Sequence, residues 1–415
     1  MPQATTELRG PIAGVASASA ALPGARILSV DFMRGLALVL MGIDHTRDFL
    51  SNLPYQPENL AHTSPALFFT RWVTHFCAPL FFFLAGTGAY LLRRKTPSAG
   101  PASRFLLTRG LWLIVLEFTV IEYAWTFVSW RMGGVIWSLG CCMILMAFLI
   151  RLPEWAILAF GLAVVFAHDL FDRLTPAQFG RFDWLWSVLH RKGVVPHTEF
   201  FVLFPLVPLV GVMALGYVFG KLFDKPAETR ARIMLWLGSA ATLAFVVLRA
   251  FNAYGNPAAG VARNSPGEWH VQGSLAMSIV SFLDLEKYPA SLQFLLMTLG
   301  PSLILFSILE RVGGSPSFQF WSKPLVVFGS VPLLFYVLHL YAIHFAAILV
   351  AWFSHQPTDW LWQGSFWMNR MPDGYGQGLP VIYLLWAVVL LVLYFPCAWF
   401  AAYRRGKKAW WLSYL

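Results

Sequence analysis

Ten apolar stretches of near-bilayer length recur along the chain, and no other feature restricts its fold as severely. They cover residues 27–49, 66–92, 104–125, 134–150, 153–170, 199–223, 230–251, 290–311, 324–353 and 380–402. About 20 apolar residues span a hydrocarbon core as a helix, and lipid offers the backbone no hydrogen-bonding partner. The pattern therefore predicts an all-α fold, a polytopic membrane helical bundle of about ten spans. Composition agrees: 58% of residues are hydrophobic and 12% charged, and soluble domains carry about twice that charged fraction. Nineteen Trp and thirteen Tyr, many near span ends, suit aromatic belts at the headgroup level.

The net charge of +10 does not indicate nucleic acid, because the basic residues lie in short loops between spans. With the N-terminus inside, the cytosolic segments hold 17 Lys or Arg and the external ones eight. That bias predicts both termini in the cytosol. Met1–Ala25, rich in Ala, Ser, Pro and Gly, reads as a disordered tail. It lacks a compact apolar run followed by a cleavage site, so the first span is expected to direct insertion. Residues 26–404 form the transmembrane domain, and 405–415 a basic, aromatic cytosolic tail. External loops at 171–198, 252–289 and 354–379 are long enough to cap a site, and 271–284 reads as an interfacial helix.

Cys77, Cys141, Cys142 and Cys397 all fall inside spans, where packing is a better reading than a disulfide or zinc cluster. Gly-rich phosphate loops are missing, which leaves an ATP-driven pump without support. The chemistry must therefore come from ionisable residues at membrane depth, which cost roughly 2.5–3.5 kcal/mol each on insertion scales.

The first span alone carries Asp31, Arg34, Asp44 and His45. Arg34 and His45 are 11 positions apart, so they share a face within about 20° yet differ by about 16 Å in depth. A guanidinium near the cytosolic side suits phosphate or carboxylate, and an imidazole can take a proton from an attacking hydroxyl or amine. The competing reading is an Asp31–Arg34 ion pair and a His45 bonded to a backbone carbonyl. The second span places Arg71 and His75 one turn apart, with Pro79 expected to kink the helix beyond them. Gly86 and Gly88 favour close helix approach. His62, in the loop before this span, is either an acceptor-side base or a solvated loop residue.

His339 and His344 in the ninth span are about 140° apart on a helix, too far to share a metal; no metal site is expected. One is expected to face the interior and the other to pack against a neighbour. For Glu117 and Glu122 the leading reading is an ion-pair network, with Arg71 and Arg249 as available partners.

The run Arg26-Ile-Leu-Ser-Val-Asp31-x-x-Arg34-Gly35-x-Ala37-x-x-x-Met41-x-x-x-His45 resembles the start of the catalytic domain of heparan-alpha-glucosaminide N-acetyltransferase, and its bacterial relatives more closely. Further similar segments are Arg71-Trp-x-x-His75-x-x-Ala-Pro79-x-Phe-Phe-Phe-Leu-Ala-Gly86, Phe204-Pro-Leu-Val-Pro208-x-x-Gly-Val-Met213, Lys287-Tyr-Pro-x-Ser-Leu292 and Val331-Pro-Leu-x-Phe-Tyr-x-Leu-His339. The Arg34-to-His45 spacing also resembles the opening motif of the wider membrane acyltransferase superfamily, in which the His is linked to catalysis and the Arg to the acyl donor.

The resemblance implies a membrane acyltransferase that moves an acyl group, acetyl by family, from cytosolic acyl-CoA to a hydroxyl or amine of a glycan or other cell-envelope acceptor. It sets the chain in a bacterial inner membrane. In the lysosomal enzyme the catalytic His precedes the second span, where His62 stands here. His45 and His62 thus compete as base, with Asp44 orienting a histidine and His75 assisting proton movement. Arg34, Asp31 and Arg71 face the donor. The partners are acyl-CoA, the acceptor, the lipid bilayer and a second copy in a homodimer. A proton-coupled transporter using the same groups is the alternative, and a non-catalytic membrane protein is a third.

Overall fold

A computed structural model describes residues 27–51, 53, 55–257, 266–363, 371–407 and 409–414; the tail expected at 1–25 lies outside the described residues. The helices are α1 (Leu28–Leu50), α2 (Pro65–Trp72), α3 (Cys77–Arg94), α4 (Ala99–Leu116), α5 (Glu122–Thr126), α6 (Val135–Leu149), α7 (Glu154–Ala167), α8 (Asp183–His190), α9 (Leu206–Phe219), α10 (Ala227–Ala250), α11 (Leu275–Leu283), α12 (Leu292–Val312), α13 (Pro316–Ser330), α14 (Pro332–Phe353), α15 (Asp359–Trp362) and α16 (Leu379–Arg404). The fold is an all-α membrane bundle. Seven helical segments among the described residues are long and apolar enough to cross a bilayer. Helix α1 has the length, at 23 residues, but carries Asp31, Arg34, Asp44, Arg47 and Asp48.

Glycines set how closely these helices approach. A Cβ on Gly35 would fall on the Leu325 carbonyl oxygen, and one on Gly329 on the Asp31 carbonyl oxygen, so α1 and α13 touch backbone to backbone. Gly86 and Gly216 do the same for α3 and α9. Small residues at such crossings are the membrane substitute for a hydrophobic driving force. Gly88 serves otherwise: a Cβ there would come 3.2 Å from Arg34 Nη2. Large apolar side chains such as Leu243, Leu384 and Leu391 lie on the outside, where lipid is the solvent.

Local sequence explains the breaks. Ser64, Ser274, Ser291 and Ser315 each accept a hydrogen bond from the amide three residues on and cap α2, α11, α12 and α13. Between α2 and α3 the chain tightens into a 3-10 turn, Val73–Phe76, that carries His75. Pro79 can supply no amide to the His75 carbonyl, which is the kink its position predicts.

Two expected spans begin differently. The span expected at 324–353 is two helices, because Val331, with φ −132° and ψ 54°, breaks the run ahead of Pro332. Proline disfavours helical geometry in the residue before it. The span expected at 199–223 starts as a helix only at Leu206, with Pro205 at its cap. Phe201 and Val202 (β3) instead pair in parallel with Met132–Gly133 (β1) and antiparallel with Gly193–Val194 (β2). This small sheet closes one end of the bundle beside the C-terminal half of α1. The helix expected at 271–284 is present as α11.

Candidate active site

The sheet, the α1 C-terminal half and the α2–α3 kink surround a cavity of about 240 Å³. Its wall includes Asp44, His45, Arg47 and Asp48 from α1, Arg71 and Thr74 from α2 and the kink, Glu117, Trp125 and Tyr336, and the loop residues Tyr55, Lys287 and Tyr288.

Helical spacing creates the charges of the wall. Asp44 and Arg47, three apart, meet at 2.9 Å, and Arg47 continues to Asp48 at 2.5 Å. Asp44 also pairs with Arg71. Arg71 Nε donates to Glu58 Oε1 at 2.8 Å, and His75 Nε2 lies 3.6 Å from that same oxygen. Burial alone would raise the Glu58 carboxyl, but Arg71, helped by His75, outweighs it and holds the group well below its ordinary value. Every guanidinium in the chain of pairs lies between two carboxylates. A buried network of this kind contributes position more reliably than stability.

His45 stands beside the network and is not part of it. Its Nδ1 is 2.7 Å from His339 Nε2, the two ring planes inclined by 19° and their centroids 5.0 Å apart, as an edge-to-edge hydrogen bond requires. His339 Nδ1 is 3.1 Å from the Phe335 carbonyl oxygen, which can only accept. A neutral His339 therefore carries its proton on Nδ1, so its Nε2 accepts and His45 Nδ1 donates. The tautomers are fixed by this chain of bonds. It leaves the lone pair on His45 Nε2, which has no protein partner among the described residues. Trp125 meets the His45 ring edge-on at 4.7 Å.

The expected site residues divide between two ends of the bundle. Asp44, His45 and Arg71 line the cavity. His75 is 1% exposed and sits behind Arg71, outside the lining. His62 is exposed, its ring 5.4 Å from Tyr55. Arg34 and Asp31 lie at the other end of α1, paired at 3.6 Å, with Arg34 Nη2 donating to the Leu84 carbonyl at 3.3 Å. Neither lines that cavity.

Two expectations need correction. Asp44 does not orient His45, because both its oxygens go to arginines; the backing group is His339. Glu117 and Glu122 are not neutralised by Arg71 or Arg249. Glu117 lies in a π-turn, Glu117–Ile121, and accepts the Trp137 amide at 2.7 Å, which caps α6. Such insertions are frequent at functional sites. Arg249 donates to four carbonyls, those of Gly267, Ser281, Phe282 and Asp284. It thereby anchors the segment leading to Lys287 and Tyr288. His344 bonds the Ala124 and Leu361 carbonyls, so it is the packing member of the histidine pair.

Sequence reasoning missed Glu58, Arg47, Asp48 and Lys287, and did not join His339 to His45. The i,i+3 and i,i+4 spacing from Asp44 signals Arg47 and Asp48. Nothing local signals a contact between positions 45 and 339.

Among the described residues no group of three His, Cys, Asp or Glu is placed to hold a metal. No curated protein matches the chain. Residues 26–249, more than half of the chain and the source of the entire charged network, match the family model described as heparan-alpha-glucosaminide N-acetyltransferase, catalytic. The chain belongs to the heparan-alpha-glucosaminide N-acetyltransferase catalytic family, with a membrane acetyltransferase-type function.

Proposed function

We propose that the protein transfers an acetyl group from acetyl-CoA, bound from the cytosolic side of a bacterial inner membrane, to a hydroxyl or amine of an envelope glycan on the other side. The observation that carries this reading is the His45–His339–Phe335 hydrogen-bond chain in the wall of a polar cavity. It presents an unprotonated imidazole nitrogen, held in one tautomer, to whatever the cavity binds.

In this reading the acceptor oxygen or nitrogen adds to the thioester carbonyl while its proton passes to His45 Nε2. Collapse of the tetrahedral adduct breaks the C–S bond, and the imidazolium returns the proton to the departing sulfur. Arg47 and Arg71 hold positive charge in the wall, where oxyanion character develops. Arg34, about 16 Å deeper on α1, anchors the donor's phosphates. Asp31 holds that guanidinium in place. His339 is a positioning residue: it fixes the tautomer and ring plane of His45.

The test is transfer from labelled acetyl-CoA to candidate envelope glycans by purified protein. His45→Ala is expected to lose about 10²–10⁴-fold in rate, and His62→Ala to stay within a few-fold of wild type. The reading fails if wild type neither hydrolyses nor transfers the donor's acetyl group. A rate lost in His62→Ala and kept in His45→Ala would move the base to the loop.

A further inference from the structure

Two short helices at the cavity end put apolar side chains outward and hydrogen-bonding ones inward. In α8, Ser187 and His190 are buried, and His190 Nε2 lies 3.0 Å from Asp172 Oδ1. Phe182, just before this helix, and its Trp184 and Leu185 are exposed. In α11, Ser281 is 2% exposed and its hydroxyl accepts the His270 amide, while Leu275 is 79% exposed and Ile279, one turn on, shares its face. A helix bathed in water shows the opposite arrangement.

The longer helices beneath them say what covers these faces. Leu158, Leu162, Phe166 and Leu170 recur every fourth residue along α7 and the 3-10 turn that extends it, His168–Phe171, and all are exposed. Leu243, Val247 and Phe251 form the same kind of stripe on α10 and its cap. Such stripes belong to the lipid-facing surface of the bundle. The first runs through an 18-residue segment, Glu154–Phe171. At 1.5 Å per residue it reaches about 27 Å, close to the roughly 30 Å of a hydrocarbon core. Helix α8 is fixed at the end of this stripe, its His190 ring 5.5 Å from that of His168. Helix α11 is fixed at the end of the other, where Arg249 donates to the Ser281 and Phe282 carbonyls. Their outward faces therefore begin where the lipid-facing stripes end.

Charge agrees. Arg181 precedes α8, its guanidinium 4.8 Å from the centroid of the Phe182 ring, and Arg191 follows the helix; both are exposed. An apolar face between exposed arginines fits a phospholipid surface, with its rings among acyl chains and its guanidiniums at phosphates.

We infer that α8 and α11 are both docked in the phospholipid leaflet at the cavity end, and that this leaflet seats the segments closing the cavity. The chain leaves α8 into Lys192 and β2, and it leaves α11 into Lys287 and Tyr288. The two exits meet at the Tyr288 ring, with Lys192 Nζ 4.6 Å and Lys287 Nζ 5.2 Å from its centroid. This extends the interfacial reading of 271–284 to a second helix and to closure of the cavity, and it does not depend on acetyl transfer.

Nitroxide labels on Leu185→Cys, Leu275→Cys and, as a control on an exposed loop residue, Glu199→Cys test the docking in phospholipid nanodiscs. Wild type, whose four cysteines lie within the bundle, sets the background. Oxygen concentrates in lipid and a nickel chelate in water. The oxygen-to-nickel collision ratio at positions 185 and 275 is expected to exceed that at 199 by about tenfold. Water-like ratios at both positions overturn the inference. Labels shielded from both reagents also overturn it, and put a second copy or another protein on these faces. Leu185→Asp and Leu275→Asp then test the seating, since each lifts one face from lipid without altering the bundle. Amide exchange over 191–195 in the first and 284–288 in the second should rise about fivefold, with α1 and α3 unchanged. Exchange that stays at the wild-type rate in both variants overturns the seating of the closure.

Discussion

At the residue scale, the state of His45 depends on a partner 294 positions away. His339→Ala removes the acceptor of the His45 Nδ1 proton, so the ring is free to rotate and to exchange tautomers. The expected result is a fall in kcat of about 10²-fold with acceptor KM little changed. His339→Gln, whose side-chain oxygen can accept the same proton, should recover part of the loss. If His339→Ala lowers only the amount of folded protein, the contact is structural alone. Glu286 gives a second prediction. Burial lifts its carboxyl to about 7 from an ordinary value of 4.5, so the folded protein binds a proton there that the unfolded chain has lost. The contribution is full below pH 4.5 and is lost as pH rises through 7, on the order of 3 kcal/mol in all. Unfolding temperature should therefore fall over that window in wild type relative to Glu286→Gln. Parallel pH profiles for the two proteins would refute it.

At the element scale, α1 holds the site only as well as α13 holds α1. Gly35 and Gly329 bring the two backbones into contact, and a side chain at either must push the helices apart. Gly329→Leu is expected to cost about 1–3 kcal/mol or more through overpacking. It should lower the unfolding temperature in detergent, while the same change at Gly273, where a Cβ meets open space, should leave it in place. Equal effects at the two positions would mean that the crossing is not tight. This scale also shows what sequence could and could not yield. Apolar length located α1, α10, α12 and α16 within a few residues, because lipid admits few alternatives to a helix. It ran through Val331-Pro332 because hydropathy is blind to a backbone break, although the proline was in plain view. It also took β3 into a span, because Phe201 and Val202 are as apolar as the helix they precede. Pairing between strands far apart in sequence leaves no local trace.

At the scale of the whole molecule, the two ends of α1 face different problems. One end holds Arg34 and Asp31 among helices; the other opens into a cavity closed by segments from five parts of the chain between its helices. The sequence placed Asp44, His45 and Arg71 at that end because helix geometry converts spacing into depth. It could not supply Glu58, Lys287 or His339, which reach the site through loop folding and long-range packing. Arg249 shows how that closure is held. The residue is 1% exposed, and its guanidinium supplies the donors for four carbonyls around α11, just ahead of Lys287 and Tyr288. Arg249→Met keeps much of the apolar stem but strands those carbonyls, each costing about 1–3 kcal/mol where water cannot reach it. The segment escapes that cost by opening locally to solvent. Amide exchange over residues 266–290 should then accelerate by at least tenfold while α1 and α3 stay protected. Acceptor KM should rise more than kcat falls, since the loop carries Lys287 and the base sits on α1. Uniform acceleration of exchange across the bundle would instead make Arg249 a support of the entire fold and not of its closing loop.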